Sequence, residues 1–278
     1  GPGTGKTTTV ARLLQVLLHG EPGLRVAIAA PTGKAAARLG EALQQRAAEQ
    51  RVELSLVPST LHRLLGYTPF DDGFRHGRDR QLDFDLVVVD EASMVDPLLL
   101  AQLTSALPER ARLVLVGDQD QLAAVTAGQV LGDLCRSARP ELGVGPELAA
   151  AVEATTGMRL PVTENASPLA NATIALRENH RFGEQPGIAT FATAMAQRDA
   201  RRALSALDGE HQDLRLVGDA DAALDECAPL FVAMLDAAAA GDAEAALAAM
   251  AKARVLTAQR HGPRGASWWN RRIEARLA

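Results

Sequence analysis

The first nine residues, GPGTGKTTT, constrain the fold of this chain more than any other stretch. Gly5, Lys6 and Thr7 end the pattern G-x-x-x-x-G-K-[ST], which is typical of loops that hold phosphate groups. Such a loop joins a strand to a helix, and its backbone N–H groups converge on an anion at the positive end of that helix. The stretch therefore predicts a phosphate-binding loop followed by a helix, and the strand that leads into such a loop would precede Gly1.

Strands and helices alternate in the sequence pattern. Apolar, β-branched runs predict buried strands at 24–30, 85–90, 112–118 and 253–258, and 52–57 is a candidate for one more. Helical periodicity is found at 6–18, 33–48, 98–107 and 268–277. This alternation predicts an α/β fold, with a parallel sheet covered by helices on both faces.

Three stretches interrupt that pattern. Residues 66–83 are polar and contain glycine, which predicts an exposed loop. Residues 140–171 carry Pro, Gly, Thr and Asn and are predicted to connect two domains through a short helix. The alanine-rich stretch 219–253 keeps leucines and methionines at helical spacing around Gly241, which predicts two helices with a glycine turn.

Composition excludes several classes of protein. The chain has no apolar run near the ~18 residues of a membrane span and no signal-peptide pattern, so a cytoplasmic location is expected. Its two cysteines, Cys135 and Cys227, cannot form a disulfide framework or a zinc site alone and are predicted to be buried, reduced thiols. A formal charge of −5 means that any contact with DNA must use local patches.

A second motif, LVVVDEASM, completes a nucleotide site with the glycine-rich loop. Its apolar run ends in Asp90 and Glu91, at the carboxyl end of a predicted strand. Asp90 and Thr7 are predicted to hold Mg²⁺, Lys6 to reach the β and γ phosphates of ATP, and Glu91 to deprotonate the attacking water. The predicted nucleotide-binding residues are Gly1, Pro2, Gly3, Thr4, Gly5, Lys6, Thr7, Thr8 and Asp90. Together the two motifs predict ATP hydrolysis.

Further motifs resemble those of one family. In order they are APTGKAAARL (30–39), STLHRLLG (59–66), DEASM (90–94), LVGDQDQLAAVTAGQVLGDL (115–134) and LRENHRF (176–182). They resemble motifs Ia to IV of superfamily 1 helicases, and the sequence is most similar to the RecD family, the alpha subunit of exodeoxyribonuclease V. The resemblance implies a RecA-like domain at 1–140, a connecting segment at 141–172 and the start of a second RecA-like domain at 173–278.

The resemblance also implies roles for single residues. Gln121 would couple the γ-phosphate to the attacking water, and Arg181 would reach the γ-phosphate from the second domain. Thr32, Gly33 and Lys34 end a predicted strand and open a helix, a placement suited to a DNA phosphate. The implied DNA-binding residues are Thr32, Gly33, Lys34, Ser59, Thr60, His62 and Arg63, and Ser59 is also expected to cap a helix.

Aromatic residues offer little for DNA stacking. They make up only 3% of the chain, which argues against a long base-stacking platform. Trp268 and Trp269 are predicted to lie in the core face of a helix.

The implied activity is ATP-dependent DNA unwinding in double-strand break repair and recombination, with 5′→3′ polarity and RecB- and RecC-like partners. The helicase module of a conjugative relaxase and a nucleotide-dependent DNA-binding subunit without unwinding activity are the alternatives. The leading glycine of the loop and the strand before it would precede Gly1, and nothing resembles helicase motifs V and VI. We therefore expect these 278 residues to be part of a longer protein and not to unwind DNA alone.

Overall fold

Parallel strands form the centre of the first part of the chain. The computed structural model describes residues 4–49, 58–69, 73–118, 129–176, 186–209 and 211–277. The strands are β1 Val26–Ala30, β2 Ser59–Thr60, β3 Tyr67–Thr68, β4 Gly73–Phe74, β5 Leu86–Val89 and β6 Arg112–Leu115. The main sheet has the order β2-β1-β5-β6 with every neighbouring pair parallel, while β3 and β4 form a separate antiparallel pair. The predicted α/β class with a parallel sheet is confirmed.

Helices occupy most of the remaining described residues. They are α1 Lys6–Gly20, α2 Gly33–Glu49, α3 Leu61–Leu64, α4 Pro97–Ala106, α5 Val130–Ala138, α6 Pro146–Thr156, α7 Pro168–Asn171, α8 Pro186–Ala196, α9 Ala200–Ser205, α10 Ala220–Ala239, α11 Ala243–Lys252 and α12 Ala266–Leu277. Local chemistry sets several of these starts. The Asp96 carboxylate accepts a hydrogen bond from Leu99 N at 2.9 Å, and Pro97 occupies the first turn of α4, where its missing N–H costs nothing.

Both faces of the sheet are buried, as the continuous apolar strands predict. All four residues of β5 are fully buried, and successive side chains point to opposite faces. Leu86 and Val88 pack with Val10 and Leu14 of α1 and with Leu43 of α2. On the other face, Val87 and Val89 pack with a second group of buried residues that includes Leu61, Leu65, Leu99 and Leu103. The sheet is therefore a middle layer between helices.

The described sheet is continuous, because every strand is hydrogen-bonded to its neighbour in the order β2-β1-β5-β6. The outer strand β6 is less buried than β5, with Leu113, Val114 and Leu115 half-buried. A further strand could join this sheet only at β6 or β2.

A network of charges joins the amino ends of three strands. Arg25 Nε donates to Asp85 Oδ2 at 2.9 Å, and a second guanidinium nitrogen donates to Asp85 Oδ1 at 3.0 Å. Arg25 also pairs with Asp83, and Arg110 lies 3.8 Å from Asp85. At the start of β6, Arg112 donates to Glu21 at 2.5 Å. The hydrogen bonds from Arg25 hold the pKa of Asp85 well below its usual range.

Two compact units divide the chain, Gly1–Gln185 and Pro186–Ala278. In the second unit, α10 and α11 form a helical hairpin whose turn contains Gly241 at φ 79°, as the sequence predicts. Arg276 of α12 donates to Asp225 of α10 at 2.8 Å, and Arg272 pairs with Asp221 one helical turn away. The predicted functional domains at 1–140, 141–172 and 173–278 remain predictions.

Some element predictions need correction. No strand forms at 253–258, because this segment has no neighbouring strand within the described residues of the second unit. The candidate strand at 52–57 lies outside the described residues. Trp268 and Trp269 are half-buried and meet edge to face with ring centroids 5.1 Å apart. Cys135 and Cys227 are half-buried rather than buried, and neither is in a disulfide. Among the described helices, none is long and apolar enough to cross a membrane.

We predict that Asp85→Asn lowers stability most at neutral pH. The pKa of Asp85 is lowered in the folded state, so its contribution is complete above the unfolded value of about 4 and declines as the pH falls below it. The urea-unfolding midpoints of wild type and Asp85→Asn should therefore converge as the pH is lowered below about 4. Asp79→Asn, at an exposed site, is the control. A difference between wild type and Asp85→Asn that stays constant from pH 7 to pH 2 would contradict this account.

Candidate functional site

The glycine-rich loop ends in a helix start that is open to an anion. Gly5 is the N-cap of α1 and has φ 82° and ψ 20°, a left-handed conformation that glycine adopts without strain. It has no side chain to cap the helix, and the first turn of α1 contains no acidic residue. The N–H groups of this turn and the positive end of the helix dipole therefore favour a negatively charged ligand. Gly1, Pro2 and Gly3 lie outside the described residues.

The start of α1 lies at the carboxyl edge of the sheet. At the other end of the helix, Glu21 binds Arg112, the first residue of β6, so that end lies at the amino edge. The helix packs along the sheet through Val10 and Leu14. Its 15 residues span about 22 Å, more than the ~17 Å of the five-residue strand β1. Lys6 and Thr7 therefore lie at the edge where the parallel strands end.

The two adjacent carboxylates follow β5 at this same edge. Asp90 N donates to Ala29 O at 2.9 Å, which continues the pairing of β5 with β1 by one residue. Glu91 adopts φ 51° and ψ 38°, and it is followed by a 3-10 turn, Ala92–Met94. A non-glycine residue in this left-handed region costs on the order of 1 kcal/mol. Glu91 Oε2 is buried and has no hydrogen-bond partner among the described residues. A strained backbone thus holds an unpaired carboxylate oxygen in a buried position, which fits a group that binds a water molecule.

Ser93, Gly117 and Asp118 lie close to the turn after β5, and the sequence did not predict a role for them. Ala92 N donates to Val116 O at 2.8 Å, which holds the turn after β5 against the end of β6. Within the described part of the chain, Ser93 Oγ is buried without a hydrogen-bond partner, and Asp118 is only 4% exposed. A Cβ on Gly117 would lie 3.0 Å from Ser93 N, so glycine allows this close approach. The sequence signal for these residues is a strand followed by Gly-Asp. Gln121, the residue predicted to act after this strand, lies outside the described residues, as does Arg181.

The first group of predicted DNA-binding residues follows β1 and opens α2. The Thr32 hydroxyl accepts a hydrogen bond from Ala35 N at 3.3 Å and so caps the helix. Thr32, Gly33 and Lys34 are all exposed. The first turn of α2 carries no acidic residue, so its N–H groups and Lys34 can approach an anion from solvent.

The second predicted group adjoins the first. Ser59 and Thr60 form β2, which pairs with β1 through Ala30 and Thr60. A Cβ on Gly33 would be 4.0 Å from the methyl group of Thr60, so the two groups are neighbours. The helix cap expected at Ser59 is instead Thr60, whose hydroxyl accepts from Arg63 N at 3.2 Å, because α3 begins at Leu61, directly after Thr60. His62 and Arg63 are exposed.

Comparison with known proteins identifies relatives of the whole chain. A family model described as an AAA domain matches residues 1–127. The RecBCD enzyme subunit RecD of Mycolicibacterium smegmatis is 40% identical, over 99% of this chain and 46% of that protein. The ATP-dependent RecD2 DNA helicase of Deinococcus radiodurans is 47% identical over 50% of this chain and 17% of that protein. The chain thus spans about half the length of the RecD subunit that it matches across nearly all of its residues.

One solved structure is similar at a lower level. It is a Bacteroides Pif1 helicase in complex with ADP-AlF3 and single-stranded DNA, with 20% identity over 82% of this chain and 51% of that chain. The TM-score is 0.42, and a score at this level supports no inference about function.

We predict that Gly117→Ala disturbs the join between β6 and the turn after β5. The added methyl group would clash first with the end of the Leu131 side chain, which can shift. It would also lie 3.0 Å from Ser93 N and 3.3 Å from Ala92 N, which are backbone atoms that cannot move aside cheaply. We expect a loss of about 1–3 kcal/mol in the free energy of unfolding, measured by urea denaturation. Gly23→Ala, where a Cβ meets no atom within 4 Å, is the matched control. Equal stability of the two variants would show that this contact is not tight.

Proposed function

We propose that this chain belongs to the RecD family over the half of RecD that it spans, as its motifs predict, and that it carries the ATP-hydrolysing and DNA-contacting core of a 5′→3′ DNA helicase. One observation supports this most. The carboxyl edge of a single parallel sheet receives the anion-binding start of α1, the Asp90–Glu91 pair and the two neighbouring groups proposed to contact DNA. Ligands of open α/β folds bind at this edge.

The proposed nucleotide site divides its tasks among a few residues. Backbone N–H groups at the start of α1 hold the phosphates, and Lys6 places its charge opposite the β and γ phosphates. Thr7 and Asp90 hold Mg²⁺, which when bound neutralises charge on the phosphate oxygens. Such a site needs few protein ligands because the phosphates supply others. This agrees with the absence of any cluster of three His, Cys, Asp or Glu side chains suited to a metal in the described parts of the chain.

Glu91 is the proposed general base. Its unpaired, buried Oε2 can accept a proton from a water molecule in line with the γ-phosphate. Gln121 is proposed to sense the γ-phosphate and Arg181 to neutralise charge in the transition state, both by family resemblance. Both residues lie outside the part of the chain that the structure describes.

The exposed residues at the same edge of the sheet are proposed to bind DNA. Thr32, Gly33 and Lys34 would bind one backbone phosphate, and the group from Ser59 to Arg63 would bind its neighbour. ATP hydrolysis next to these phosphate-binding residues can change their affinity for the DNA strand. Assembly with RecB- and RecC-like subunits, a role in double-strand break repair and recombination and a cytoplasmic location are proposed from the family. DNA-stimulated ATP hydrolysis separates this proposal from a DNA-binding subunit without unwinding activity.

Lys6→Ala is predicted to abolish ATP hydrolysis in the complete gene product that contains this chain. The substitution removes the positive charge facing the β and γ phosphates, whereas nucleotide-free binding of single-stranded DNA should persist. Phosphate release with and without DNA is the measurement. Lys252→Ala, which removes an exposed lysine from the end of α11, is the matched control. Hydrolysis at the wild-type rate by Lys6→Ala would refute the assignment.

Glu91→Gln is predicted to slow the chemical step by about 10²-fold or more while ATP and Mg²⁺ still bind. An amide fills the same space but cannot accept the proton of the attacking water. Single-turnover hydrolysis and nucleotide titration separate the two effects, and Glu109→Gln at an exposed position is the control. Loss of nucleotide affinity with normal turnover of bound ATP would make Glu91 a ligand rather than a base.

A further inference from the structure

Three rings meet beside the proposed DNA-binding residues. The ring centroids of His62 and Tyr67 are 5.5 Å apart with their planes at 88°, and those of Tyr67 and Phe74 are 5.4 Å apart. His62 and Phe74 are 6.0 Å apart. We call these three residues the ring cluster. Tyr67 is the single tyrosine of a chain with only 3% aromatic residues.

The pairing of β3 with β4 and the packing of Phe74 against the core hold the ring cluster in place. Tyr67 and Phe74 are paired across the antiparallel strands β3 and β4, so their side chains lie on the same face. Phe74 packs against the core on one side of the main sheet. Tyr67 keeps 38% of its surface exposed, and His62 is exposed on α3. The cluster is therefore anchored at one ring and open to solvent at the other two.

Hydrogen bonds also hold the segment after β4 in place, although the sequence predicted only an exposed loop at 66–83. Arg75 N donates to Gly66 O at 3.1 Å and His76 N donates to Leu65 O at 3.0 Å. From the neighbouring helix α4, Gln102 Nε2 donates to His76 O at 2.6 Å. Gly66 permits this return of the chain through its φ of 69°. Rings held in this way lose little conformational entropy when a ligand binds.

Charge and position indicate which ligand fits. Arg63, next to His62 on α3, is exposed, and its backbone N–H bonds the Thr60 hydroxyl within the proposed phosphate-binding group. A strand whose phosphates lie on Thr60 and Arg63 carries its bases within reach of an adjacent ring. Base faces stack on aromatic rings without regard to sequence, whereas the phosphates need the positive charge.

We propose that the exposed rings of Tyr67 and His62 form a short stacking platform for a base of single-stranded DNA. This proposal rests on the proposed function and deepens it, because it adds a base contact to a site otherwise built for phosphates. Because the planes of the two rings are at 88°, a base stacks on one ring at a time. The platform therefore takes one or two bases, which agrees with an aromatic content too low for a long one. Such a contact increases the affinity for the strand without selecting a base sequence.

The test compares strands with and without bases. In the complete gene product, wild type and Tyr67→Leu are titrated with oligothymidine and with an abasic strand of the same length. Leucine keeps apolar bulk but removes the π face. We expect Tyr67→Leu to weaken binding of oligothymidine about tenfold and to leave the abasic strand unaffected, while the salt dependence stays the same because no phosphate contact changes. Tyr67→Phe should restore the preference for the strand with bases.

Two further variants keep the test decisive. His62→Leu should reduce the same preference, so the test remains valid if Tyr67→Leu does not fold. Phe191→Leu in α8 makes the same kind of change outside the cluster and should leave the preference intact. A wild-type preference in both Tyr67→Leu and His62→Leu would overturn the platform and assign the rings to packing or to a protein partner. Failure of the wild type to bind either strand would instead overturn the proposed function itself.

Discussion

The parallel pairing of β2, β1, β5 and β6 is the constraint on which the rest of this structure depends. Parallel strands bring their carboxyl ends to one edge, so residues far apart in sequence become neighbours there. Ala30 lies opposite Thr60, and Val89 lies opposite Leu115. Polar residues come shortly after β1 and β5, whereas these two strands are themselves apolar. The burial of β5 on both faces fixes this register, because a one-residue slip would exchange its two faces.

The orientation of α1 depends on the opposite edge. The ion pair between Glu21 and Arg112 and the network around Arg25 and Asp85 tie the end of α1 and the start of β1 to the amino edge. The start of α1 is thereby placed at the same edge of the sheet as Asp90 and Glu91, where its dipole and Lys6 favour anions. Charge pairing at one edge thus contributes to the geometry of the chemistry at the other.

Much of this arrangement could be predicted from sequence, and the misses have physical causes. Strands β1, β5 and β6 and helices α1, α2, α4, α10, α11 and α12 are where the sequence pattern predicts them. In the strands and in the helices that pack on the sheet, burial imposes that pattern. The segment 253–258 has the composition of a strand, but a strand also needs a partner, and partners cannot be read from local sequence. The positive φ of Glu91 and the tight approach at Gly117 are likewise tertiary effects. The ring cluster joins residues from α3, β3 and β4 that no spacing rule connects.

The central claim is that nucleotide binds where α1 begins and β5 ends. Hydrogen exchange of the backbone amides, followed by mass spectrometry with and without Mg²⁺ and a non-hydrolysable ATP analogue, tests it most directly. The account predicts that nucleotide slows exchange at the start of α1, residues 5–9, and around the turn after β5, residues 90–94, while α10 and α11 do not change. Protection confined to the amino edge around Arg25 and Asp85, or no protection of residues 5–9 at saturating nucleotide, would contradict it.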